Sequence, residues 1–349
     1  MNILKGMGEF FAIDIGTRSI RVVQLENNGQ DSWNLLHVGY SAVDEKIIAS
    51  DSPEGRKKLS QSIMSVVGQA GIKTKDVVIG LPSNKTFTTV VEIPKMTDAE
   101  LSGTLKYQID QYIPMSVEDA KVDWAKLGDS PNDAKKQEVL LASTAQSYVE
   151  NLVEMIDSLG FNVIAAEPDP IAITRALLPR EAQSDTRMVI DLGELSTDII
   201  ITVGGSPRLV RTLPLGLRSL VGATVQNLNI KEEQATQFIL KFGLAHDKLE
   251  GQVYRALENT LDNFAGEITK SIKFFLTKYT TEKISVVQLS GYGAIIPSFS
   301  EYIANKAGVS VQITSPWQKV SISDQDRQKV SSVEFEFATA IGLAQRIEK

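Results

Sequence analysis

Ile13-Asp14-Ile15-Gly16-Thr17-Arg18-Ser19, near the start of the chain, returns in its middle as Ile190-Asp191-Leu192-Gly193-Glu194-Leu195-Ser196. Each copy runs apolar, Asp, apolar, Gly and then a turn ending in a hydroxyl. Strand-forming residues flank both, Phe10 to Leu25 around the first and Val189–Leu192 with Asp198–Val203 around the second, so each reads as a β-hairpin. The residue types suit phosphate. Gly lets backbone amides approach phosphate oxygens, hydroxyls add donors, and Asp14 and Asp191 at the strand ends can hold the water shell of Mg²⁺, which favours few direct carboxylates. One Asp-x-Gly is equally an ordinary turn; two copies, each opening a block of strands and helices, indicate a two-lobed α/β chain. A later glycine turn at Gly291 and Gly293 joins a strand to a helix and reads either as a plain connection or as a place where backbone approaches a nucleoside.

Outward from the first hairpin, a strand is expected over Leu35–Val43. After the polar loop ASDSPEGRKK, a helix follows from the spacing of Leu59, Ile63, Val66, Val67 and Ala70, stopped by Gly71. Val77–Leu81 returns as a strand. Between Thr86 and Asp169 the order reads strand, helix, strand, strand, helix, strand, enough for a small separate layer. Thr97 with Glu100 and Ser147 with Glu150 have capping-box spacing at its two helix starts. Pro114 and Gly160 end those helices, and GDSPNDAKKQ reads as an exposed hairpin loop that packs nothing. Beyond Met188 come the second hairpin, a strand at Leu209–Leu213, long helices to about Tyr279, a strand at Ile284–Leu289, and a last helix over roughly Val333 to Arg346 that packs back on the first lobe.

Composition narrows the chemistry. The 349 residues contain no cysteine and only His37 and His246, which excludes disulfides and thiolate metal sites and leaves Ser-His or Cys-His catalysis improbable. The net charge of −7 disfavours general attraction to nucleic acid or anionic lipid. No apolar run approaches membrane-spanning length, and MNILKGMGEFF lacks the core of a signal peptide, so the expectation is a cytoplasmic protein reaching membrane only through partners.

The paired hairpins and the later glycine turn resemble the actin, sugar kinase and Hsp70 superfamily, which binds ATP between two lobes. Within it, FFAIDIGTRSIRVVQL, VVEIPKMTDAELSGTLKYQIDQYIPMSVEDAKVDW, MVIDLGELSTDIIITVGGSPRLVR, EITKSIKFF and LSGYGAIIPSFSEYI resemble the type IV pilus assembly protein PilM family. Tyr112-Ile113-Pro114 and Asp123-Trp124 are similar to the inserted subdomain of that family and of FtsA. The resemblance implies a two-lobed actin-like ATPase fold of duplicated ribonuclease-H-like lobes with an inserted α+β subdomain. The first lobe would take residues 7–85, 169–187 and 331–349, the subdomain 86–168, and the second lobe with its helical subdomain 188–330.

What the resemblance implies for the site is ATP with Mg²⁺. Asp14 and Asp191 would position metal and water. Gly16, Thr17, Arg18, Ser19, Arg21, Gly193, Ser196, Thr197, Gly216, Glu267, Lys270, Gly291, Tyr292 and Gly293 would contact nucleotide. Arg21 stands where the family has Lys, Glu194 where a small residue is usual, and Leu217 and Val221 replace Gly and Thr. In KEEQATQFILKFGL the family's Glu near Thr236 and Lys near Ile239 are missing, so the phosphate half of the pocket matches better than the nucleoside half. Glu267 and Lys270 read first as a surface ion pair at i and i+3.

The implied function is a cytoplasmic adaptor at the inner face of the plasma membrane. It would hold the N-terminal peptide of PilN, be coupled to pilus motor ATPases and platform proteins, form a homodimer or filament, and hydrolyse ATP slowly at most. Tyr112, Ile113 and Pro114 are the groove candidates, reading equally as a helix end packed in the subdomain core. The alternatives are an FtsA-like polymerising tether, whose C-terminal amphipathic helix has no counterpart after AIGLAQRIEK, and a small-molecule kinase, for which no substrate carboxylate is evident.

Overall fold

The computed structural model describes residues 9–179, 182 and 185–347. Residues 7, 8, 180, 181, 183, 184, 348 and 349 of the expected first lobe lie outside the described residues, as does most of the opening segment read for a leader. The chain begins with β1 (Phe11–Ile15), β2 (Ser19–Asn27), β3 (Trp33–Ala42), α1 (Glu45–Ile48), α2 (Pro53–Ala70) and β4 (Asp76–Leu81). It continues with β5 (Thr86–Pro94), α3 (Asp98–Gln108), β6 (Ala120–Asp129), β7 (Lys136–Ala145), α4 (Gln146–Ser158), β8 (Asn162–Pro168) and α5 (Asp169–Leu177). Then come β9 (Thr186–Leu192), β10 (Thr197–Val203), β11 (Ser206–Leu213), α6 (Leu217–Leu228), α7 (Glu232–Phe242), α8 (Gln252–Lys278), β12 (Ile284–Gly291), α9 (Phe299–Ala307) and β13 (Val311–Ile313). β14 (Val320–Ser321), α10 (Asp324–Val330) and α11 (Ala338–Ala344) complete it.

Among the described residues three sheets form, ordered β14-β3-β2-β1-β4-β8, β11-β10-β9-β12-β13 and β5-β7-β6. The first two are the lobes. Each starts with the duplicated hairpin and adds parallel strands, β4 beside β1 and β12 beside β9. Phe11, Ala12 and Ile13 are all fully buried, as are Met188, Val189 and Ile190, because helices cover both faces of these sheets and remove the need for alternation. Val189 and Ile200 of the second sheet share a core with α5 and α11, so that pair of helices is packed between the lobes. α5 and α11 approach so closely that a Cβ at Gly342 would collide with the Ala172 backbone.

The expected helix after ASDSPEGRKK begins inside that segment, at Pro53. Ser52 accepts from the Gly55 amide as its cap, and Gly71 ends the helix at φ 76°, a conformation glycine adopts without strain. The Thr97 and Glu100 capping box is present. Ser147 does not cap: β7 runs directly into α4, Ala145 takes the cap position and Ser147 lies inside the helix.

The small sheet and α3 occupy only the first part of the expected 86–168 insertion. β8 pairs with β4, and α4 contributes Leu152 and Ile156 to the core of the first lobe. Val320 of β14, Trp317 and Val330 likewise pack with the first lobe although they fall within the expected 188–330 span. The loop between β6 and β7, expected to pack nothing, is anchored to its surroundings. Ser130 donates to Glu92 and caps the Asn132 amide, while the Asn132 side chain donates to the Lys278 carbonyl of the second lobe.

Candidate functional site

The two hairpin turns close identically, the Gly16 amide donating to Ser19 O at 3.0 Å and the Gly193 amide to Ser196 O at 2.9 Å. Cross-strand register is shared as well. Asp14 stands opposite Arg21, and Asp191 opposite Asp198, seven residues on in both lobes. The duplication therefore places an Asp/Arg pair in one lobe and an Asp/Asp pair in the other. The hairpins face each other across a cleft of about 450 Å³ lined from both lobes.

On the first side, Arg21 Nε lies 2.9 Å from Asp14 Oδ2, and Arg21 Nη1 lies 3.1 Å from Glu336 Oε2. A Cβ at Gly16 would collide with the Arg21 guanidinium, so this glycine makes room for the arginine under the turn. Ser19 Oγ donates to the same Glu336 oxygen at 3.0 Å, and the Tyr40 hydroxyl reaches its other oxygen. Burial pushes Asp14 above the ordinary carboxylate range, against the pull of Arg21.

On the second side the charges are alike. Burial pushes Asp191 up to about 7 and the neighbouring Asp198 carboxylate adds to the shift. Asp198 is pushed by burial up to about 6, opposed by hydrogen bonds from Ser83 of the first lobe and Thr212, each at 2.6 Å. Asp169, the first residue of α5, is raised well above its usual range by burial and by Asp14 and Asp198. Oδ1 of Asp169 and Oδ1 of Asp191 are buried without a hydrogen-bond partner among the described residues.

Two further contacts join the rims, Arg18 to Glu194 at 3.5 Å and a bidentate pair between Arg218 of α6 and Glu45 of α1. Glu194 is thereby turned toward Arg18.

Of the expected site residues, Asp14, Gly16, Thr17, Arg18, Ser19, Arg21, Asp191, Gly193, Ser196, Gly291 and Tyr292 line the cleft. Thr197 is buried behind it, donating to Leu215 O at 2.6 Å. Gly216 caps α6, where a Cβ would sit 2.5 Å from the Glu194 carbonyl oxygen, and Gly293 is buried against Leu289 and Phe299. Tyr292 packs edge-on against Phe335, ring centres 5.0 Å apart. Glu267 and Lys270 do not line the cleft: the Glu267 carboxylate is shared by Lys270 at 2.6 Å and Arg211 at 2.9 Å. Reading the sequence missed Asp169, Asp198, Ser83 and Glu336. The shared seven-residue spacing to the facing strand was a usable signal for Asp198; Glu336 comes from a segment over three hundred residues away and left none.

A second recess of about 640 Å³ lies between the first lobe and the small sheet. Val149, Glu150, Val153, Glu154 and Asp157 of α4 form one wall and Lys121 of β6 reaches it from the other. Tyr112, Ile113 and Pro114 do not line it. Ile113 is in the core of the small subdomain, Tyr112 packs against that core, and Pro114 is exposed.

The type IV pilus assembly protein PilM family matches residues 12–348. This chain belongs to the PilM family. A solved structure described as the PilM-PilN type IV pilus biogenesis complex superposes with a TM-score of 0.82 at 21% identity, covering 97% of this chain and 98% of the other. The fold extends to MreB5 of Spiroplasma citri bound to AMPPNP, with a TM-score of 0.53, 11% identity and coverage of 96% and 95%. The curated cell division protein FtsA of Borreliella burgdorferi is 24% identical over 227 residues, 59% of this chain and 53% of that protein, so the chain spans about half of that relative's length. The expected actin-like architecture is thus present in this PilM-family chain, whose described residues include no helix long and apolar enough to cross a membrane.

Proposed function

We propose that this PilM-family protein is a cytoplasmic adaptor of a type IV pilus assembly platform, holding a PilN N-terminal peptide beside the inserted subdomain and ATP between its lobes. The observation that carries the reading is the separation of two sites, a cleft between duplicated hairpins and a distinct groove between α4 and β6. Val149 and Val153 give the groove an apolar stripe, and Glu150, Glu154 and Asp157 rim it. An extended or helical segment with alternating apolar and basic residues complements that surface.

In the cleft, the hairpin amides and hydroxyls suit phosphate oxygens. Asp14 and Asp191 suit a hydrated Mg²⁺ held through water, since no three metal-ligating side chains converge among the described residues. Mg²⁺, when bound, would neutralise phosphate charge. Asp14 is engaged by the Arg21 guanidinium at 2.9 Å and so is poorly placed to take a proton from an attacking water, which supports slow turnover at most. Membrane recruitment, and any contact with motor ATPases, other platform proteins or a second copy, follows from this adaptor role and goes no further than it.

Calorimetric titration with Mg-ATP and with the PilN N-terminal peptide tests the proposal. The expected outcome is peptide binding that Val153→Asp weakens at least about tenfold, by placing a charge on the apolar stripe. Peptide binding unchanged by that substitution removes the α4 groove from consideration, and rapid ATP consumption on adding small hydroxylated substrates favours a kinase instead.

A further inference from the structure

Two of the donors expected to meet phosphate on the first hairpin, Ser19 and Arg21, already have an acceptor. Glu336 lies on the 3₁₀ turn Glu334–Phe337 that leads into α11, and its Oε2 takes both Ser19 Oγ and Arg21 Nη1. The turn is well fixed: Phe337 is fully buried against Trp317 and Tyr40, and Trp317 Nε1 donates to the Glu334 carbonyl. The Glu336 side chain, 14% exposed, borders the cleft. With Asp14 on its other side, Arg21 is flanked by two carboxylates, so its own charge is already balanced before an anion arrives.

We propose that Glu336 is an internal occupant of the phosphate position on the first hairpin and sets the affinity of the cleft for polyphosphate ligands. The inference rests on the nucleotide reading above. An incoming phosphate oxygen and the Glu336 carboxylate compete for Ser19 and Arg21, and the carboxylate swings aside when phosphate binds. Arg21 is what makes the arrangement work, because its planar fork serves Asp14 and Glu336 at once, which a single ammonium does less well. A purely structural Glu336 makes the opposite prediction: removing it loosens Arg21 and weakens binding.

The test compares Mg-ATP and magnesium tripolyphosphate binding to the full-length protein and its Glu336→Gln, Arg21→Gln and doubly substituted forms. Glu336→Gln, which keeps the side-chain shape, is expected to bind both probes about tenfold more tightly, and the gain is expected to vanish in the Arg21→Gln background. If Glu336→Gln unfolds, Glu336→Asp withdraws the carboxylate by one methylene and is expected to show the same direction with a smaller gain. Wild-type binding that Glu336→Gln leaves equal or weaker overturns the inference while the nucleotide reading stands. Absence of binding in every form overturns both.

Discussion

Asp14 and Asp191 hold equivalent places in the two hairpins, yet one faces a guanidinium and the other a carboxylate. The consequence is measurable as a pH dependence. A carboxyl raised from 3.8 to about 7 binds more protons folded than unfolded, so its contribution to stability falls as pH rises between those values and stays low above them. Asp191→Asn removes that contribution. It is expected to stabilise the unliganded protein by about 2 kcal/mol near pH 8 and to have little effect near pH 4, checked by urea unfolding at both pH values. An equal effect at both would place the cause in packing. The Asp-x-Gly phrase made both aspartates legible in the sequence. The identity of the facing residue, which decides their charge state, needed the strand register.

At the level of elements, local signals succeeded where one segment closes on itself. Thr97 and Glu100 satisfy each other's backbone, and Thr97→Ala is expected to cost about 1 kcal/mol of stability in thermal unfolding. Ser147 carried the same spacing and failed, because β7 enters α4 without a turn and leaves no cap position for it. The hairpin glycines were legible as glycines but not in their purpose: Gly16 clears space for Arg21, and Gly216 lets the start of α6 meet the second hairpin. There the amides of Leu217 and Arg218 donate to the carbonyls of Gly193 and Glu194. Gly216→Ala is expected to push the hairpin away from the helix and to weaken Mg-ATP binding by about tenfold with a smaller loss of stability, read by calorimetry alongside melting. Assignment of α4 and β8 to the first lobe was illegible for a related reason, since sheet membership follows from pairing with β4, eighty residues away in the chain.

For the molecule as a whole, the duplicated phrase fixed two lobes, but how the small sheet is attached was invisible to it. Glu138, on the central strand of that sheet, is fully buried and meets Arg208 of β11 at 3.1 Å, Lys278 of α8 at 2.5 Å and the hydroxyl of Tyr279 at 2.6 Å. Arg208 also donates to the Leu127 carbonyl. Glu138→Gln leaves two cations with a neutral partner and is expected to cost about 3 kcal/mol, measured as a shift in the urea midpoint. Saturating Mg-ATP is expected to offset part of any such loss, by about 2.7 kcal/mol at a hundredfold excess over its dissociation constant, and so to raise the melting temperature of wild type.

The groove between α4 and β6 borders the same small sheet. One wall is built into the core of the first lobe, and the other belongs to a sheet whose buried Glu138 is fastened to the second. The small sheet is thereby a bracket between the lobes, fastened to the second by Glu138 and running straight into the first through β7 and α4.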